Sequence, residues 1–145
     1  MLTLLTLAAL AAHAAPTCES TETHTGEEGS FTDGSAPSAE YAHDQDLCFV
    51  VKPSCKDPAQ LWFPRLQVEH GYDTVHVYDL DGKLVSGKAT QEGDTFSGTG
   101  LTVHFHSDHD IAETGFEARY SCSVLSEKPE LEPESEPEPE LDVEP

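Results

Sequence analysis

"VEHGYDTVHVYDLDGK", residues 68–83, decides how this chain folds. Val75 and Val77 alternate with Thr74, His76 and Tyr78, the period of a strand with one buried face. Four acids crowd its ends. Asp79 and Asp81, with Gly82, read as ordinary turn chemistry closing a hairpin. Glu69 and Asp73 flank the short turn "EHGYD", where Gly71 lets the backbone approach an ion closely. The stretch therefore predicts a strand with one plain end and one end able to hold a cation.

Working outward, the same period recurs. "LCFVV" (47–51) predicts a short buried strand. "LWFPRLQVE" (61–69) sets Leu61 and Phe63 on one face, and Leu66 and Val68 resume it after Pro64. Proline has no N–H to give the ladder, so Pro64 predicts a bulge or an edge. "LTVHFHS" (101–107) alternates through Leu101, Val103 and Phe105. "GFEARYSCSV" (115–124) alternates through Phe116, Ala118 and Tyr120. The stretches "EHG", "DLDGK", "EGD", "SGTG" and "SDHD" between them read as turns. Residues 19–46 are polar and Gly-rich and predict a loop with one or two edge strands. No helical period runs longer than two turns between Cys18 and Val124. The fold class is all-β, an antiparallel β-sandwich or barrel of short strands.

Both ends stand apart from this domain. Leu2–Ala12 is apolar but too short to span a bilayer. It runs into Ala12-His13-Ala14, a small-x-small cleavage pattern, so residues 1–14 read as a signal peptide. No later stretch is long and apolar enough for a transmembrane helix. At the other end, residues 126–145 alternate Pro and Glu with almost nothing to bury. Such a segment cannot offset its ordering entropy and reads as a disordered acidic tail. The chain carries −21, of which the tail holds −8. That charge excludes nucleic acid and anionic membranes as partners and favours cations or basic surfaces.

Cys18, Cys48, Cys55 and Cys122 make an even set behind a secretion signal, which suggests two disulfides with three possible pairings. None of their spacings is C-x-x-C, so a structural zinc site is a poor alternative. The chain has no asparagine, which excludes N-glycosylation.

Taken together, the pieces resemble a known extracellular module. Tyr41 precedes the second cysteine in "YAHDQDLCFV". A strand ends in glutamate in "LWFPRLQVE". "YDTVHVYDLDG", "LTVHFHSD" and "TGFEARY" follow in that order. The series from Cys18 to Cys122 resembles the CUB domain, a jelly-roll-type β-sandwich, here spanning 18–124. The resemblance implies a pairing of Cys18 with Cys48. It leaves Cys55 and Cys122 to bridge a middle strand to the last one.

Many CUB domains carry a Ca²⁺ site at one end of the sandwich. Carried over, its ligands are Glu69, Asp73 and Asp108. The chemistry suits the ion, which takes several hard oxygens from carboxylates, carbonyls and water. His109 and Asp110 add backbone oxygens, Asp110 also a side chain, and Tyr41 and Tyr72 support the site by hydrogen bonding. Two departures stand out. The 69–73 loop is shorter than the family's, and Ile111 stands where calcium-binding members often carry Asn.

A competing metal pattern lies on the outer face. His104 and His106 leave the same side of their strand, and His76 sits on another. Imidazoles suit Zn²⁺ or Cu²⁺, but spacing fixes no third ligand. Catalysis finds no support: there is no G-x-S-x-G, no H-E-x-x-H and no nucleophile set beside a base. The expectation is a secreted, non-enzymatic recognition module. Its calcium-ordered loops meet a basic side chain of an extracellular protein, or a glycan. A small secreted enzyme, a matrix component whose tail meets cations, and an accessory domain of a secreted protease system are the other classes. Nothing in the sequence sets the oligomeric state.

Overall fold

Alternating apolar residues on short strands need a second sheet to cover them, and the fold supplies it. The computed structural model describes residues 15–122. The segments expected to be a signal peptide (1–14) and a disordered acidic tail (126–145) lie outside the described residues. Eight strands form: β1 (Ser20–His24), β2 (Glu28–Thr32), β3 (Asp46–Val51), β4 (Ala59–Gln67), β5 (Thr74–Asp79), β6 (Thr95–Gly98), β7 (Leu101–His106) and β8 (Gly115–Ser121). They make two four-stranded sheets, ordered β1-β3-β7-β5 and β2-β8-β4-β6.

The core is what the alternation predicts. Val75, Val77, Leu101, Val103 and Phe105 from one sheet are buried against Leu61, Phe63, Phe116 and Ala118 from the other. Phe116 sits at the centre, its ring edge-on to Phe31, Phe49, Phe63 and Phe105 at centroid distances of 5.6–6.3 Å. Aromatic rings favour such edge-to-face packing.

Two features differ from the sequence-based expectation. First, the sandwich is not wholly antiparallel, because β1 runs parallel to β3. The chain leaves β1 at one sheet's edge and enters β2 at the edge of the other. The polar 19–46 region thus gives both sheets an edge strand. Second, β6 forms where only turns were expected; "TFSG" is too short to show an alternation, and it is made by pairing with β4. Pro64, expected at a bulge or an edge, takes the bulge, on an interior strand. The β4–β8 register shifts between Trp62 and Arg65, and β6 pairs with β4 only up to Trp62. Pro64 therefore occupies a bulge where no ladder donor is needed.

The disulfides are Cys18–Cys48 and Cys55–Cys122. The register then fixes what matters for function. Thr74 and Asp46 both lie opposite His106, Gln67 lies opposite Gly115, and Thr32 lies opposite Glu117. The three connections that switch sheets here, 33–45, 68–73 and 107–114, consequently meet at one pole. Among the described residues no helix is long and apolar enough to cross a membrane.

Candidate metal centre

Each of those three connections delivers a polar side chain to one spot. Glu69 follows the end of β4, Asp73 immediately precedes β5, and Asp108 follows β7. One ligand oxygen from each lies within 4.8 Å of the others, and among the described residues no other His, Cys, Asp and Glu side chains converge in this way. Gly71 takes φ of 86°, a left-handed conformation that favours glycine and closes the 69–73 turn. The Asp73 N–H donates to the Glu69 carbonyl at 3.1 Å.

Tyr41 joins the cluster from the first connection. Its hydroxyl donates to Asp73 Oδ2 and accepts from the Glu69 N–H at 3.0 Å. Burial, then the bond to Asp73, pushes the phenol far above its ordinary range, so it stays a donor at any working pH. Its ring packs edge-on against Phe105 at 5.1 Å, anchoring the hydroxyl to the core. The other Asp73 oxygen accepts from the Asp108 N–H at 2.8 Å. Asp73 is only 2% exposed, so it is a buried carboxylate fixed from both sides.

Ser107 was not foreseen and ties two of the loops together. Its hydroxyl donates to the Ala42 carbonyl at 2.8 Å and accepts from the Gln45 N–H at 3.1 Å. The sequence did hold a signal. Leu101, Val103 and Phe105 point inward, so Ser107 continues the buried face with a hydroxyl that must find partners.

The site carries more negative charge than its hydrogen bonds satisfy. Glu69 Oε2 is buried without a partner. Desolvation, followed by the charges of Asp108, Asp73 and Asp110, pushes the Glu69 carboxyl above the usual carboxylate range. A buried, unpaired carboxylate oxygen beside two further acids is costly unless a cation is shared among them. Oxygen donors alone, in a turn shaped by glycine, suit Ca²⁺ rather than a softer metal.

The remaining expected residues take outer positions. Asp110 is exposed, and its N–H caps Asp108 Oδ1 at 2.9 Å. His109 is exposed. Tyr72 is 67% exposed and joins the turn through its N–H, which donates to the Glu69 carbonyl at 3.3 Å. Ile111 is 58% exposed on the opposing loop. Beside Asp73 lies a cleft of about 320 Å³ lined by Leu66, Val68, Ala89, Thr90 and Glu92. The Thr90 hydroxyl there is buried and unpartnered.

This architecture matches solved structures. The CUB1-EGF-CUB2 region of human MASP-1/3 superposes with a TM-score of 0.59 at 16% identity over 73% of this chain. The corresponding rat MASP-1 region gives 0.59 at 22% over 70%. The MASP-1 CUB2 domain bound to Ca²⁺ gives 0.58 at 14%, covering 69% of this chain and 96% of that one. The chain has the fold of a CUB domain. It spans 42% of each of the two longer MASP fragments, so the CUB fold is the part they share. No protein-family model matches the sequence, and no curated protein does either.

The Tyr41 hydroxyl holds the Glu69 and Asp73 loops together, so Tyr41→Phe is a direct probe. It should destabilise the domain by about 1–3 kcal/mol, the cost of leaving buried polar partners unmet. It should also weaken calcium binding while leaving the fold intact by circular dichroism. Unchanged stability and affinity would show that the hydroxyl positions nothing.

Proposed function

We propose that this domain is a secreted recognition module. In it Glu69, Asp73 and Asp108, aided by Asp110, hold one Ca²⁺ that orders the sheet-switching loops. The observation that carries this reading is the convergence of three carboxylates around a buried, unpartnered Glu69 oxygen. The ion would supply positive charge to cancel their repulsion. The protein supplies the rest: Tyr41 and the Asp108 N–H orient Asp73, and Ser107 locks the neighbouring loop.

A protein partner fits the rim of this pole. Exposed Tyr72 and Ile111 flank the acids on two loops, and tyrosine is favoured at interface centres. The cleft beside Asp73 gives the aliphatic stem of a basic side chain an apolar wall at Leu66 and Val68, with Glu92 nearby. We take the occupant to be a lysine or arginine of an extracellular protein, with a glycan as the second choice. Two disulfides support an extracellular setting.

The test is thermal melting of the full chain in calcium and in chelator, with Glu69→Gln beside it. A ligand that binds only the folded state adds about 2.7 kcal/mol at a hundredfold excess over Kd. For a domain of this size that is a shift of roughly 10–20 °C. Glu69→Gln should lose the calcium shift and, in chelator, melt no lower than the parent, because the repelling charge is gone. Equal melting of the parent in both conditions through millimolar calcium would defeat the proposal.

The same site sets a pH dependence. Glu69 has a folded pKa above its unfolded value, so it favours the fold below the unfolded pKa, and that contribution is lost as pH rises through the folded one. Calcium binds the ionised form. The gap in melting temperature between calcium and chelator should therefore widen as pH rises through and above the ordinary carboxylate range. A constant gap from pH 4 to 7 would contradict this.

A further inference from the structure

The outer face of the β1-β3-β7-β5 sheet holds donors that the calcium pole does not use. His104 and His106 are two apart on β7 and leave the same side of the strand. Spacing leaves the third donor open, and the register supplies it. His76 on β5 lies directly opposite His104, and Asp46 on β3 lies directly opposite His106. Opposed residues on one sheet face have Cβ atoms about 4.5–5.5 Å apart, within reach of a shared ion for imidazole-length side chains. Asp46 Oδ1 already lies 3.0 Å from His104 Nε2 and 3.0 Å from His106 Nδ1. These are hydrogen-bond distances that gather both imidazoles at one carboxylate oxygen, while the two imidazoles stay more than 4.8 Å apart at their donor atoms.

We propose that His76, His104, His106 and Asp46 form a second metal site, for an imidazole-preferring divalent cation of the Zn²⁺ and Cu²⁺ class. Three nitrogens and one carboxylate make a tetrahedral set of the kind zinc accepts. The donor chemistry separates this site from the calcium pole, where every donor is a hard oxygen. In the structure the His104 and His106 imidazoles turn to Asp46 rather than to each other. The His104 and His106 ring centroids are 6.5 Å apart, and no three of the four donors lie within 4.8 Å of one another. Loading therefore swings side chains about a fixed backbone. His106, with its side chain 43% exposed, has room to move, while His104, 13% exposed, is the fixed member.

The experiment uses the full chain with calcium at saturation, which occupies the oxygen site and screens the acidic tail. Zn²⁺ is titrated against a chromophoric chelator, and histidine ring signals are followed by NMR. The expected result is one Zn²⁺ bound per chain. Affinity should fall at least tenfold in His76→Gln, His104→Gln and His106→Gln and stay within twofold in His43→Gln. Ring signals of His76, His104 and His106 should shift together while those of His43, His70 and His109 stay in place. No stoichiometric Zn²⁺ binding would overturn the proposal, as would binding that survives all three substitutions. The exposed His106→Gln keeps the test valid if a more buried variant fails to fold. The calcium melt is independent, so either proposal can fail alone.

Discussion

Asp73→Ala should be the most damaging single change at the pole where the three acids converge. In chelator it should cost about 3–6 kcal/mol, because it deletes the shared acceptor of two hydrogen bonds to a carboxylate, each worth roughly 1.5–3 kcal/mol. The Tyr41 hydroxyl and the Asp108 N–H both lose their partner. Neither recovers water easily, since Tyr41 is 4% exposed and Asp73 itself 2%. In calcium the gap to the parent should widen further, because the parent gains the ion and the variant does not. Denaturant melts in both conditions measure the two parts separately. A loss under 1 kcal/mol in chelator would mean that Asp73 does not organise the loops. An equal loss in both conditions would mean that Asp73 plays no part in holding the ion.

Replacing Cys55 and Cys122 together by Ser should cost about 4 kcal/mol. The bridge closes a separation of 67 residues, and loop-closure entropy gives a figure of that size. The bond lies at the pole away from the three acids, next to the start of β4 and the end of β8. Calcium affinity of the folded fraction should therefore stay within about threefold of the parent, as expected for distant sites that share no partners. Stability is read from denaturant unfolding and affinity from titration. A large loss of affinity would show that the two poles are coupled through the sandwich.

These contrasts show what the sequence could carry. Val75, Val77, Val103, Phe105, Phe116 and Ala118 were legible as core because a strand shows one face every second residue. Glu69 and Asp73 were legible from the short glycine turn they flank, and the set with Asp108 came from the resemblance to the CUB domain. Their convergence was not legible, since it depends on three connections switching sheets at the same pole. β6 was hidden because four residues of "TFSG" carry no period, whereas β1 and β2 are the edge strands expected within the polar 19–46 region. Asp46 also escaped notice. Its place beside His104 and His106 follows from the β3–β7 register, which pairs residues 60 apart. Tyr41 was visible by its position before Cys48, but its double role needed the geometry of two loops. Tyr72 shows the reverse: a tyrosine next to a candidate ligand turns its ring to solvent.

The central claim is that three carboxylates share one calcium ion, and direct titration tests it. The full chain and a chain ending at residue 125 are titrated with calcium at neutral pH, alongside Glu69→Gln and Asp108→Asn. The expected result is one tight equivalent in both lengths, lost in both variants, with any weaker binding confined to the longer chain. Calcium binding that disappears with the tail, or that survives both substitutions, would contradict the account.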